Sequence, residues 1–270
     1  MTAYKSKDAP VAIEFKDVSK AYASTDVQAL DQVSFKIYEG EFIAIVGASG
    51  SGKTTLLKMM NGLVKKDQGE IEYFGESLDK LDPILLRRKM GYVVQEIGLF
   101  SHMTIEENIA VVPKLLNWDK EKIAKRVDDL LDLVHLDKNK YRKAYPKELS
   151  GGQQQRVGVA RALAADPKVC LMDEPFGAVD AMTRQDLQMS LLKIHQGLGK
   201  KTFILITHDI NEALLLGDRV MVVDQGKILQ FAPGREIVHH PADEKVEGLL
   251  QVLKIQWKQW KEFYEPIPEK

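Results

Sequence analysis

One cysteine in 270 residues, Cys170, leaves no partner for an intrachain disulfide. It lies inside an apolar run, so its expected role is a buried core thiol and its expected setting a reducing compartment. No apolar run approaches the roughly 20 residues that a bilayer-spanning helix needs. If the protein works at a membrane, other chains are expected to supply the spans. The stretch Met1 to Pro10 is polar and charged, without the apolar centre of a signal peptide. An excess of one charge is missing too. The 38 Lys and Arg against 39 Asp and Glu give a net charge of −1, and the basic residues are scattered, so nothing points to nucleic acid. No internal repeat or low-complexity segment is present. The 44% apolar and 29% charged residues are those of an ordinary globular protein, either one large domain or a domain with an inserted subdomain.

What is present is organised around one stretch. The apolar run Phe42-Ile43-Ala44-Ile45-Val46 leads into Gly47-Ala48-Ser49-Gly50-Ser51-Gly52-Lys53-Thr54, followed by Thr55 and a helix-period pattern to Met60. This is the phosphate-binding pattern G-x-x-x-x-G-K-[ST] in its required strand–helix setting. The glycines let successive backbone N–H groups face one point, and the helix adds its positive end to that nest. Lys53 is expected to reach the terminal phosphates and the Thr54 hydroxyl to ligate Mg²⁺. A glycine-rich turn before an ordinary helix is the blander alternative, and the flanking strand and helix argue against it.

Around that stretch, alternating patterns at Val11 to Ser19 and at Val33 to Ile37 predict a small antiparallel layer. Tyr22 falls in a loop between them, where packing on its own strand is the plainer expectation and stacking on a flat base the sharper one. Glu70 to Gly75 reads as a short edge strand. Buried strands are expected at Met90–Val94, Val169–Met172 and Phe203–Thr207. A hairpin is expected around Gln225-Gly226. Residues 96–148 look largely helical, with a capping box at Thr104 to Glu107 and a break or kink at Pro113. The predicted fold class is therefore α/β: a P-loop NTPase core with a mainly parallel sheet, an N-terminal antiparallel β layer and an inserted helical subdomain. The expected division is an ATP-binding core over 1–95 and 160–240, a helical subdomain with a glycine signature over 96–159, and a C-terminal helical extension over 241–270.

Functional residues in such sheets gather at the carboxyl ends of strands. Gln95, the acid pair Asp173-Glu174 and His208 all stand there. An acid pair closing a buried strand is costly unless it has work to do. Asp173 would hold the Mg²⁺ shell and Glu174 would orient or deprotonate an attacking water. Leu149-Ser150-Gly151-Gly152-Gln153 is a second candidate. Ser150 is a good N-cap, but each glycine after it costs up to ~1 kcal/mol in a helix. The glycines bare N–H groups at a positive helix end, which is a second anion site in a chain with one obvious set of phosphates. A second chain would satisfy it, in a head-to-tail pair.

Taken together, the phosphate loop, Gln95, Leu149 to Gln153, Val169 to Glu174, Ala178-Val179-Asp180 and His208 resemble the motif set of an ABC-transporter ATPase subunit, in order and spacing, over about residues 11–240. The resemblance implies roles at matching positions. Tyr22 would stack on adenine, and Lys53, Thr54 and Thr55 would hold the phosphates and Mg²⁺ of ATP. Gln95 would sense Mg²⁺ and water and touch the permease, and it would join Thr54 and Asp173 at the metal. Ser150, Gly151, Gly152 and Gln153 would bind the partner chain's γ-phosphate. Glu174 would be the catalytic base, Asp180 the cross-dimer loop acid and His208 the γ-phosphate switch. Val179 stands where the family usually has Leu.

The runs Gln95 to Ile109, Gln153 to Pro167 and Glu174 to Ala178 further resemble the osmoprotectant branch, which imports glycine betaine, choline or carnitine. That implies separate membrane permease subunits, an extracytoplasmic binding protein and a place at the cytoplasmic face of the membrane. Many members of the branch carry paired CBS regulatory domains after the ATPase, and about 30 residues are too few for them. Import of an amino acid or another small solute is the runner-up, and a soluble ABC ATPase of DNA repair or translation is a rival. A GTPase would want N-K-x-D, and Asn139-Lys140-Tyr141-Arg142 lacks the Asp. In the tail, Val246, Leu249, Leu250, Leu253, Trp257, Trp260 and Tyr264 make one apolar helical stripe, stopped by Pro266. The expectation is self-packing near Val246 to Leu253, with the tryptophan end meeting a partner chain.

Overall fold

A computed structural model of the chain describes residues 9–22, 27–95, 98–177 and 179–264. Strands β1 (Val11–Tyr22) and β2 (Val27–Tyr38) pair antiparallel, as their alternation predicts. Phe15 and Phe35 stack across the pair with centroids 4.6 Å apart. Tyr22 is not in a loop; it is the last residue of β1, opposite Val27. The wholly buried β3 (Phe42–Val46) runs into the phosphate loop and α1 (Lys53–Met60). Strand β4 (Gln68–Tyr73) returns to β1, and the two-residue β5 (Glu76–Ser77) pairs outside it. The strand expected at the edge is thus an inner one, because a two-residue partner is too short to leave a periodic trace in the sequence. The six-residue α2 (Pro83–Arg88) escapes prediction for the same reason, although Asp82 caps it.

After β6 (Met90–Val93) come four helices, α3 (Ile105–Leu115), α4 (Lys120–Leu133), α5 (Lys138–Tyr141) and α6 (Gly151–Leu163). Thr104 and Glu107 close the capping box of α3. Pro113 does not interrupt that helix, which continues to Leu115. Strand β7 (Val169–Asp173), α7 (Ala181–Leu198), β8 (Thr202–Thr207) and α8 (Ile210–Leu216) then alternate. A hairpin follows, β9 (Arg219–Asp224) and β10 (Lys227–Ala232). Its turn residues Gln225 and Gly226 have φ of 47° and 76°, the left-handed pair that suits a tight turn between twisted strands. Helices α9 (Gly234–His239) and α10 (Glu244–Tyr264) complete the described chain.

The main sheet has the order β10-β9-β3-β8-β7-β6, parallel except for β10. Its strands bury both faces, which is why they read as unbroken apolar runs. Phe42, Ala44, Val46, Cys170, Met172, Phe203 and Leu205 pack with the helices. Ile43, Ile45, Leu171, Ile204 and Ile206 pack with the antiparallel layer and α1. Cys170 is fully buried, and desolvation pushes its thiol up to about 12, so it is the inert core thiol expected.

The tail divides where expected. Val246 and Leu250 are buried, and Leu249 and Leu253 pack beside them on the main core. Trp257 is 77% exposed. The side chains of Trp260 and Tyr264, and Pro266, lie outside the described residues, as does Ala178. Truncation after Leu253 should leave the melting temperature within about 2 °C of the full chain. Truncation before Val246 should lower it by about 5 °C or more, since several aliphatic side chains leave the core. Equal drops in the two would mean that the distal stripe is core as well.

Candidate active site

The site is built where β3, β8, β7 and β6 end side by side. The loop after β3 curls because three of its glycines permit it. Gly52 has φ of 105°, and a Cβ added there would lie 2.3 Å from the Ala29 carbonyl oxygen. A Cβ on Gly47 would lie 2.0 Å from the Val223 carbonyl oxygen. Ala48, Ser49 and Gly50 form the exposed tip, while Ser51 and Lys53 are buried. Gly52 caps α1 without a side chain, so no side-chain oxygen competes for the first N–H groups of the helix. The Ser51 hydroxyl is buried and has no hydrogen-bond partner among the described residues. Such a cradle, with an orphaned buried hydroxyl and an uncapped helix start, fits a phosphate.

The loop is braced from behind. The Gly226 N–H donates to the Ser51 carbonyl at 2.9 Å, so the β9–β10 turn supports the cradle. The sequence marks Gln225-Gly226 only as a turn. Its second task depends on a contact across the sheet that no local pattern carries.

Lys53 donates to the Gly47 and Ala48 carbonyls at 2.9 and 2.7 Å. Burial holds its ammonium below the ordinary lysine range, opposed by the negative charges of Glu174 and Asp173. Burial likewise raises Asp173, opposed chiefly by the Thr54 hydroxyl, which donates to it at 3.4 Å. Thr54 and Asp173 are hard oxygen donors. They suit Mg²⁺, which takes few protein oxygens and fills its shell with phosphate and water. Tyr22 is 38% exposed, with its hydroxyl 3.4 Å from that of Thr55, beside the cradle.

Glu174 follows Asp173 with φ of 46°, a left-handed conformation that costs about 1 kcal/mol or more for a residue with a Cβ. Its N–H donates to the Ile206 carbonyl at 3.1 Å, which ties the end of β7 to β8. Gln95 donates to Glu174 Oε2 at 3.2 Å, from 79 residues away in the chain. His208 Nδ1 lies 3.5 Å from the same oxygen. The structure therefore brings Gln95, Glu174 and His208 onto one carboxylate. The Gln95 amide meets Glu174 rather than the Thr54–Asp173 pair.

The glycine signature stands apart from this cluster. The Ser150 hydroxyl accepts from the Gln153 N–H at 3.3 Å, and the Gln153 side-chain Oε1 accepts from the Ser150 N–H at 3.0 Å, closing a capping box. The Gln153 amide donates to the Tyr141 hydroxyl at 3.0 Å. Gly151 is exposed, with nothing near where a Cβ would be, and Gly152 abuts Thr183 of α7. Asp180 caps α7 by accepting from the Thr183 N–H at 3.1 Å, and hydrogen bonds from the Thr183 side chain and backbone hold its carboxyl below the usual range.

Known proteins resemble the chain in sequence and in fold. The family model for the ABC transporter matches residues 30–177. The osmoprotectant import ATP-binding protein OsmV of Salmonella typhimurium is 50% identical over 237 residues, 87% of this chain and 62% of that protein. The glycine betaine/carnitine/choline transport ATP-binding protein OpuCA of Bacillus subtilis is 48% identical over 88% of this chain and, again, 62% of that protein. The chain thus spans less than two thirds of the length of these two relatives. The glycine betaine uptake system ATP-binding protein YehX of Escherichia coli is 48% identical over 87% of this chain and 75% of that protein. Among solved structures, a dimeric ATP-binding cassette in a post-hydrolysis state with ADP and phosphate is 35% identical, with a TM-score of 0.72 over 83% of this chain and 99% of that one. A family model that matches over half of the residues, and a relative of which three quarters is spanned, lead to one assignment: the chain belongs to the ABC transporter family.

Proposed function

We propose that this chain is the ATP-hydrolysing subunit of an importer, and that the solute imported is a quaternary-amine osmoprotectant such as glycine betaine, choline or carnitine. The observation that carries the reading is the Glu174 carboxylate, held by Gln95 and His208 beside a phosphate cradle. A carboxylate so placed orients a water and takes its proton as the water attacks the γ-phosphate of ATP. The bond from the γ-phosphorus to the β,γ-bridging oxygen breaks and ADP leaves, while Gln95 and His208 fix the water and the transferred γ-phosphate. Lys53 and the loop N–H groups from Gly47 to Thr55 hold the β- and γ-phosphates, and Tyr22 takes the adenine. Thr54 and Asp173 would hold a bound Mg²⁺, which would supply charge neutralisation, while the Gln95 amide is held on Glu174.

Ser150 to Gln153 act in this reading on the ATP of a second copy, with Asp180 lining the pair. Support comes from the exposure of Ser150 and Gly151 at the start of α6. The proposed helical subdomain, 96–159, and the Gln95 loop pass the motion to separate permease subunits. Residues 1–95 and 160–240 form the ATP-binding core and 241–270 an extension. Among the described residues no helix is long and apolar enough to cross a membrane. In this reading, which rests on the family, the permease supplies the spans and this chain sits peripherally at the cytoplasmic face. A binding protein outside the membrane delivers the solute. The solute class rests on the names of the relatives. A sulfate/thiosulfate import protein at 42% identity keeps other small solutes as a second reading.

The test is Mg²⁺-dependent ATP hydrolysis by the chain purified with its permease, with candidate solutes offered on the binding protein. A quaternary amine should stimulate hydrolysis severalfold. Stimulation by sulfate or an amino acid alone would overturn the solute class, and absence of hydrolysis would overturn the enzyme. The pairing is tested separately with Ser49→Cys and Gly151→Cys, both exposed, while buried Cys170 stays silent. ATP should drive crosslinks between chains, and crosslinks only within one chain would exclude the head-to-tail arrangement.

A further inference from the structure

We infer that Thr207, Glu212 and Gln188 form a positioning unit that sets where His208 stands against Glu174. It rests on the hydrolytic reading above and adds residues to it. Glu212 is 6% exposed and lies on α8, the helix that begins just past His208. Its Oε2 accepts from the Thr207 hydroxyl at 2.6 Å, and its Oε1 accepts from the Gln188 amide at 2.9 Å. The Thr207 hydroxyl in turn accepts from the Asp209 N–H at 3.0 Å. The residues on both sides of His208 therefore belong to one buried network, while the His208 ring itself is exposed.

Burying a carboxylate is costly, and α8 is already anchored by Ile210, Ala213 and Leu216. An apolar residue at 212 would serve packing alone more cheaply. What a carboxylate adds is two directed acceptors. One holds the end of β8 that carries His208. The other holds Gln188 of α7, the helix capped by Asp180. An exposed imidazole on a strand end has few contacts of its own to keep it 3.5 Å from Glu174 Oε2. Fixing the backbone before and after it does that job. Their hydrogen bonds run to one another and to the Asp209 N–H rather than to the phosphate loop, so their effect on turnover runs through His208.

The experiment is a double-mutant cycle on the full chain, read as kcat and KM for ATP under Mg²⁺. Thr207→Val keeps the shape of the side chain and removes its hydroxyl. Its kcat should fall about 10- to 100-fold with KM within about threefold, and Thr207→Ser should restore turnover to within about threefold of wild type. In a His208→Ala background, measured in single turnovers, Thr207→Val should cause no further loss. A further loss of the same size in that background would overturn the proposal, as would unchanged kcat in the single variant. If Thr207→Val does not fold, the same cycle is run with Gln188→Met, whose kcat should fall about threefold or more, again only when His208 is present. An unchanged kcat there also overturns it. A wild-type chain that hydrolyses no ATP would instead fail the hydrolytic reading, and this inference with it. Wild-type turnover with silent variants fails the inference alone.

Discussion

Glu174→Gln should reduce ATP turnover by at least about 100-fold, some 2.7 kcal/mol of barrier, while ATP affinity stays within about threefold. The substitution keeps length and shape. The new side-chain oxygen can still accept from the Gln95 amide, which lies 3.2 Å from Oε2 in the wild-type chain. The backbone at φ of 46° is asked of the same number of heavy atoms, so the fold is not disturbed. What disappears is the negative charge and, with it, acceptance of a proton at neutral pH. Lys53 and the loop N–H groups, which hold the phosphates in the proposed reading, are untouched. ATP should then persist between two chains, and the dimer should appear on a sizing column with ATP and vanish without it. Turnover above about a tenth of wild type would mean that the base lies elsewhere.

Lys53→Met should weaken ATP binding by about 100-fold or more and remove turnover with it. Methionine retains the apolar stem of a side chain that is 6% exposed, so packing survives. It lacks the cation. Loss of one partner from a largely desolvated charged contact costs about 2–5 kcal/mol, which is about 30- to 4000-fold in affinity. The direction of the lysine's shift supports the size. Burial already disfavours the ammonium, and Glu174 and Asp173 oppose that without a strong direct contact. A triphosphate supplies the missing counter-charge. Fluorescent ATP titration measures the loss directly. Affinity within about tenfold of wild type would show that the backbone nest alone carries the phosphates. The two variants separate binding from chemistry, since one loses turnover with ATP held and the other loses ATP itself.

Much of the candidate site is legible in the linear sequence because its parts are local. Gly47 to Thr55 is contiguous, and its function follows from glycine conformations and from one lysine at fixed spacing. The capping box at Thr104–Glu107 and the N-cap at Ser150 are closed by hydrogen bonds within four residues, and both form as their residues predict; that Gln153 completes a box at Ser150 is seen in the structure alone. The buried parallel strands announce themselves as apolar runs because both of their faces are covered. Errors fall where the signal is too short or comes from elsewhere. Two-residue β5 and six-residue α2 leave no periodic trace. Tyr22 reads as a loop residue because its neighbours at 23–26 are small and polar, although β1 extends to it.

The sequence by itself determined that this chain cradles a phosphate and that an acid pair closes a buried strand. Both are written in side chains a few residues apart, where backbone geometry leaves little choice. Only the tertiary structure decided that Gln95, Glu174 and His208 share one carboxylate oxygen, and that Glu212 turns inward to Thr207 and Gln188. Those meetings depend on the strand order β3-β8-β7-β6, which places side by side residues separated by long helical crossovers. Periodicity records which face of an element is buried. It holds no information about which other element comes to lie there, because that choice is made by the packing of the whole sheet and its two covering layers.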